Sequence, residues 1–169
     1  MRYIFDTNAL IFVAKCDETW DLYQRSAFDG VVAAVRESFL EISRYLGESR
    51  LLQWANRYKE HFEYPTEAEQ QVVRSIFQNR HFFHMVSMDK LMRGEPVADP
   101  FIVAKAKVEG GTVVTLEKRK PNSARIPNVC DYMGVPCISL QQFVTEQQWK
   151  LPEQVSDELR RLCNDTSSD

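Results

Sequence analysis

Apolar and polar positions alternate along this chain in short blocks, and block length separates strands from helices. Tyr3-Ile4-Phe5 is apolar and stops at Asp6, the form of a short buried strand over residues 2–5. Asp6-Thr7-Asn8 offers side-chain oxygens that can cap free backbone N–H groups, so a helix starts there and carries the apolar run Ala9 to Val13. Residues 19–29 read as a connecting helix that breaks at Asp29-Gly30. Apolar positions 31, 32, 35, 39, 42, 45 and 46 fit either a strand followed by a helix or a helix throughout. A further helix is expected over residues 48–62, around Leu51, Leu52, Trp54, Ala55 and Tyr58. Thr66 with Glu69 three residues later is a capping box, and its helix should run towards Phe83.

Gly94-Glu95-Pro96 marks a loop. Asp99-Pro100 predicts an N-cap followed by proline at the first helical position, with the helix passing through Ile102, Val103, Ala106 and Val108 to Gly110-Gly111. Thr112 to Thr115 is β-branched and fits a buried parallel strand. Residues 118–127 are polar, basic and bounded by prolines, hence a loop. A short helix over 128–133, a strand over 135–140 and a helix over 140–149 follow. Beyond Pro152 the chain is polar, and residues 164–169 should fray. The order β-α-α-α-α-β-α-β implies a parallel sheet with helices on both faces.

With 169 residues and 44% hydrophobic content, the chain has enough material for one folded domain, expected over residues 1–150, with residues 151–169 as a polar, partly disordered tail. The net charge of −3 supplies no global field for a polyanion. Cys16, Cys130, Cys137 and Cys163 form no CxxC pair and no zinc spacing. His81 and His84 share a helical face, but beside Phe82, Phe83 and Met85 they read as packing or surface groups. No signal peptide is visible, and no apolar stretch approaches the roughly 18 residues that cross a bilayer. Free cysteines without a disulfide framework point to a reducing, cytoplasmic setting.

Four carboxylates change the picture. Asp6, Glu41, Asp99 and Glu117 each end or interrupt an apolar segment, where a solvated charge is out of place. Acids gathered on a fold edge repel one another, and a divalent cation relieves that repulsion. All-oxygen donors suit Mg²⁺ or Mn²⁺, which makes a metal-dependent phosphodiester hydrolase the leading function. Each acid also has a plainer reading. Asp6 and Asp99 can serve as caps, Glu41 as a solvated helix residue with Glu37 as its competitor, and Glu117 as a strand-end acid.

Phe5-Asp6-Thr7-Asn8 resembles the opening of PIN-domain nucleases. Ala98-Asp99-Pro100-Phe101-Ile102-Val103-Ala104 resembles their third acidic block, and Val113-Val114-Thr115-Leu116-Glu117 the strand with their fourth acid. The likeness is closer to the PIN-like DUF4411 subgroup, through VVTLEK, RIPNVCDYMGV and the Trp54 helix after Leu40-Glu41-Ile42, and it spans roughly residues 2–146.

The resemblance implies a three-layer α/β/α sandwich with a central parallel sheet. It also implies Mg²⁺- or Mn²⁺-dependent RNA cleavage, often by the toxin of a toxin–antitoxin pair as in VapC-type proteins. The partners implied are an RNA substrate, an antitoxin protein and a second copy of the chain. Asp6 and Asp99 would be the primary ligands, and Glu41 and Glu117 would complete the set. Thr7, Asn8 and Thr115 would orient them. Lys118, Arg119, Lys120 and Arg125 would contact substrate phosphates or form a solvated charge run.

Two positions depart from the family pattern: Glu117 stands where most PIN nucleases have Asp, and Asn128 stands where an acid would have added charge. They keep open a degenerate PIN module that binds RNA or protein without cleaving. A flap-type DNA nuclease would be expected to carry more chain. Trp54, Phe82 and Phe83 suit base stacking by chemistry and packing by spacing, and packing is the favoured reading.

Overall fold

The computed structural model of this chain describes residues 2–83 and 92–164. His84, Met85 and residues 165–169, part of the expected frayed end, lie outside the described residues.

Five parallel strands form the central layer: β1 (Tyr3–Phe5), β2 (Val32–Val35), β3 (Phe62–Glu63), β4 (Thr112–Thr115) and β5 (Cys137–Ser139), in the spatial order β3-β2-β1-β4-β5. Around them stand α1 (Thr7–Val13), α2 (Asp17–Phe28), α3 (Arg36–Tyr45), α4 (Arg50–Arg57), α5 (Glu67–Gln78), α6 (Arg80–Phe83), α7 (Asp99–Glu109), α8 (Ile126–Met133), α9 (Leu140–Glu146) and α10 (Glu153–Asn164). This is the α/β architecture and parallel sheet expected from the sequence.

Alternation along the strands divides the core into two. Tyr3 and Phe5 join one apolar cluster with Leu10, Tyr23, Trp54 and Phe143, while Ile4 joins the other with Ile76, Ile102, Val113 and Val129. A period of two sends successive side chains to opposite faces, so both faces need a helical cover. In register, Phe5 pairs with Val114 and Ile4 with both Ala33 and Val113.

Among the described residues the expected three strands become five. The 31–46 block resolves as β2 followed directly by α3. The helix expected to reach residue 62 ends at Arg57, and Phe62-Glu63 instead pairs with Ala34-Val35. A two-residue edge strand leaves no period to detect. The helix expected from residue 66 to Phe83 is split at Asn79 into α5 and α6, although its Thr66–Glu69 capping box is present as predicted. Asp99 is the first residue of α7 and Ala98 the N-cap, one position from the expected arrangement. Gly110 closes α7 in the left-handed region, and Gly111 follows because a Cβ there would lie 2.7 Å from the Arg2 carbonyl oxygen. The polar stretch beyond Pro152 folds over Glu153–Asn164 as α10, which buries Leu159 against the first cluster. Its apolar positions are spaced along one helical face, which a reading of bulk polarity overlooks.

The Trp54 environment is a packed one. The indole lies 5.4 Å from Trp20, 5.9 Å from Tyr23 and 6.0 Å from Phe62, centroid to centroid. Phe82 is buried and meets Tyr132 edge-on, whereas Phe83 is partly exposed against Phe77.

Candidate functional site

Chain order places the site. From β1 the chain moves to β2 and β3 on one side, then returns to β4 on the other side of β1. At such a switch point the connections leave in opposite directions and open a crevice at the carboxyl ends of the strands. Asp6 follows β1 and Glu117 follows β4. The Asp6 N–H donates to the Val114 carbonyl at 2.9 Å, which holds the two strand ends side by side.

A cleft of about 370 Å³ opens here. Its lining includes all four singled-out carboxylates, Asp6, Glu41, Asp99 and Glu117, together with Thr7 and Asn8. The acids come from four segments far apart in sequence. Each is placed by local structure: Asp6 as N-cap of α1, Glu41 on α3, Asp99 in the first turn of α7, and Glu117 just past β4. Of the two acids weighed on α3, Glu41 lines the cleft and Glu37 is not among its lining residues.

Hydrogen bonds fix the carboxylates. Asp6 Oδ2 accepts from Thr115 Oγ1 at 2.9 Å, and Asp6 Oδ1 from the Asn8 N–H at 3.4 Å. Thr115 Oγ1 in turn accepts from the Glu117 N–H at 3.0 Å. Glu41 Oε2 accepts from Thr7 Oγ1 at 2.7 Å, and Glu41 Oε1 from the Ala98 N–H at 3.1 Å. Thr7 has one hydroxyl proton, and an ionised carboxylate can only accept. Its second contact, 3.0 Å to Ser38 Oγ, is therefore one in which Ser38 donates. Glu117 Oε2 accepts from the Ile126 N–H at the start of α8, at 2.8 Å.

Asp6 is nearly sealed from solvent, with 2% of its surface exposed. Burial pushes its pKa up to about 7, helped by the negative charges of Glu117 and Glu41 and opposed by the bonds from Thr115 and Asn8. The charged form of Asp6 is thus short of a counter-charge. The donor set is all carboxylate, the chemistry of a hard divalent cation's shell, and Asp6 needs what such an ion supplies. On those grounds the residues fit Mg²⁺ or Mn²⁺. Among the described residues, no three acidic, histidine or cysteine side chains converge on one ligating point as placed.

The basic loop has more internal structure than its composition suggests. Arg119 forms a two-pronged ion pair with Asp131 on α8, at 2.8 and 2.9 Å. Asn128 fastens the loop: its Oδ1 accepts from the Lys120 N–H at 3.3 Å and from Ser123 Oγ at 3.0 Å, and its Nδ2 donates to the Lys120 carbonyl at 2.9 Å. An acid at that position could not make the donated bond. Lys118 and Arg119 line a second cavity that shares Glu117 and Thr115 with the site, and Arg125 is exposed at the N-cap of α8.

Sequence reasoning missed Ser38 and the backbone donors of Ala98 and Ile126. Ser38 lies one helical turn before Glu41, a spacing that could have suggested a shared face. The two backbone donors carry no sequence signal, because any residue but proline supplies an N–H.

Among solved structures, the chain is similar to a chain in the crystal structure of VapBC2 from Rickettsia felis bound to a DNA fragment from their promoter. The TM-score is 0.46 and the identity 14%, over 82% of this chain and 98% of that one. No curated protein matches the sequence. The model of DUF4411, a domain of unknown function, matches residues 3–151, and the chain belongs to that family.

Proposed function

We propose that this protein is a Mg²⁺- or Mn²⁺-dependent endoribonuclease that hydrolyses RNA phosphodiester bonds, acting as the toxin of a toxin–antitoxin pair. One observation carries the hydrolase reading: Asp6, Glu41, Asp99 and Glu117, from four separate segments, line a single cleft at the switch point of a parallel sheet. The RNA and toxin assignments rest on the motif resemblance to PIN-domain nucleases.

In this reading Asp6 and Asp99 would hold the cation, and Glu41 and Glu117 would complete its surroundings. When bound, such an ion acidifies water and neutralises charge that develops on the phosphate. The chain's own residues do the rest. Thr115 keeps Asp6 turned into the cleft. Thr7 and the Ala98 N–H hold Glu41 by both oxygens. Glu117 keeps Oε2 on the Ile126 N–H, and its Oε1 accepts the proton of the attacking water. Lys118, Lys120 and Arg125 meet substrate phosphates at the rim, positioning the strand without reading its bases. Arg119 is held by Asp131 on α8 and would contribute less than Arg125.

The second reading, a PIN-fold module that binds RNA or protein without cleavage, is favoured by one specific observation. Among the described residues no three potential ligands converge, and Asp6, Glu41 and Glu117 each already accept from protein donors. Incubation with total cellular RNA and Mg²⁺ or Mn²⁺ separates the two. Discrete fragments from the wild type, lost with EDTA and in the Asp6→Asn/Asp99→Asn variant, support the hydrolase. Folded, antitoxin-free protein that binds RNA but cuts none with either metal supports the binding module. The toxin assignment fails if expression of the protein alone leaves growth unchanged and no product of a neighbouring gene co-purifies.

A further inference from the structure

Cys130 and Cys137 are seven residues apart, yet the fold brings them together. Cys130 sits on the buried face of α8 and Cys137 opens β5, with the turn between them closed by the Val135 N–H on the Cys130 carbonyl at 2.8 Å. Both pack in the same core cluster, Cys130 within it and Cys137 against it, and each thiol is the strongest influence on the other's ionisation. Cys130 is fully buried, whereas Cys137 also lines a cavity of about 260 Å³ with Thr115, Glu117, Arg119 and Cys163. Cys137 is therefore the member of the pair that borders open space, and Cys130 is buried.

The helix that carries Cys130 also holds the acidic site. The Ile126 N–H at its start grips Glu117, Asn128 fastens the basic loop, and Asp131 grips Arg119. Movement of α8 is transmitted to all three.

We propose that Cys137 and Cys130 form a peroxide-sensitive dithiol switch, in which oxidation to an intrachain disulfide draws α8 onto β5 and displaces Glu117 and the 118–125 loop. The disulfide step is independent of the hydrolase reading. Only its effect on catalysis rests on that reading.

The chemistry balances with hydrogen peroxide as oxidant. The Cys137 thiolate attacks one peroxide oxygen, the O–O bond breaks and hydroxide leaves, giving a sulfenic acid. The Cys130 sulfur then attacks the Cys137 sulfur, the S–O bond breaks, and the hydroxyl leaves with the thiol proton as water. Two thiols lose two electrons and two protons in total, and one peroxide becomes two waters. The hydrogen bond from the Cys130 thiol holds the Cys137 pKa below the ordinary thiol value, and the Arg119 guanidinium acts in the same direction. A covalent bond brings the two sulfurs closer than a non-bonded contact allows, and α8 and β5, which carry them, are drawn together with them.

The test treats the full chain with stoichiometric hydrogen peroxide. It then maps disulfides by peptide mass spectrometry and measures amide hydrogen exchange, before and after reduction with dithiothreitol. The expected result is loss of two hydrogens from the intact mass, a Cys130–Cys137 linkage that survives Cys163→Ser, and exchange at residues 117–126 altered several-fold and restored by dithiothreitol. In Cys130→Ala the reaction should stop at a Cys137 sulfenic acid that a cyclic diketone traps. A Cys137–Cys163 linkage, an interchain linkage, or no reaction at Cys137 overturns the proposal. A Cys130–Cys137 linkage with unchanged exchange at 117–126 overturns the coupling to the site. Absence of RNA cleavage in both redox states would count against the hydrolase reading alone, because the mapping and exchange read the switch directly.

Discussion

Asp6→Asn should make this protein more stable while removing the proposed nuclease activity. Asp6 is buried, and its pKa rises from the ordinary 3.8 to about 7, chiefly through loss of solvation and then through the neighbouring Glu117. An acid whose folded pKa lies above its unfolded one binds its proton more tightly in the native state. Its stabilising contribution is therefore present at low pH and is lost as pH rises between the two pKa values. A shift of roughly three units at about 1.4 kcal/mol each costs the native state on the order of 4 kcal/mol once pH exceeds the folded pKa.

Asparagine keeps a carbonyl oxygen for Thr115 and remains a good N-cap, so the variant escapes most of that cost. Urea denaturation of wild type and variant in EDTA, from about pH 5 to pH 8, measures the difference directly. Subtraction cancels the titration of other groups. The variant should gain stability relative to wild type as pH rises, and the gap should widen by about 3 kcal/mol over that range. For a chain of this size that corresponds to about 6–12 °C in Tm. Mg²⁺ or Mn²⁺ should then stabilise the wild type, by about 2.7 kcal/mol at a hundredfold excess over Kd, and leave the variant unchanged. A stability difference that stays flat between pH 5 and pH 8 would refute the argument that Asp6 is a buried, under-compensated carboxylate. Equal cation stabilisation of both proteins would refute its role as a ligand.

Lys105 is buried on α7 and pairs with Glu63 and Glu109 at 2.7 Å each, with Glu69 at 3.6 Å. Lys105→Met takes the cation from buried Glu69 and leaves Glu63 and Glu109 to Arg2, and should cost about 3–5 kcal/mol in urea denaturation; a loss under 1 kcal/mol would mean that Arg2 and water take over the lysine's role. Asn128→Asp removes the donor to the Lys120 carbonyl and sets a negative charge beside it. It should destabilise by about 1–3 kcal/mol and loosen the 118–125 loop in hydrogen exchange; a gain in cation affinity instead would restore the reading of position 128 as a missing ligand. RNA affinity should fall less in Arg119→Ala than in Arg125→Ala, by filter binding at fixed salt, because Asp131 already occupies Arg119. The opposite ranking would place Arg119 on the substrate.

Much of this protein was legible in its sequence because the signals are local. Tyr3-Ile4-Phe5 and Thr112 to Thr115 announce strands by apolar or β-branched runs that stop at polar groups. Thr66–Glu69 announces a helix start by a bond that closes within one turn. Gly110-Gly111 announces a helix end, one glycine supplying the left-handed backbone and the other the close approach to Arg2. The four acids stood out because each breaks an apolar segment. Tertiary structure decided the rest. β3 exists because Ala34 and Val35 offer an open sheet edge, which the two residues Phe62-Glu63 could not announce themselves. Glu41 lines the cleft and Glu37 does not, although they lie one turn apart, because α3 packs through Phe39 and Ile42 and so fixes which acid reaches the cleft. The basic loop, which the sequence presents as a run of like charges, is fastened by Asn128 and Asp131 from a helix that follows it. Sequence carries what a single turn or strand can satisfy by itself. Pairing edges, helix rotation and cross-loop bonds depend on partners distant in the chain, and only folding brings those partners together.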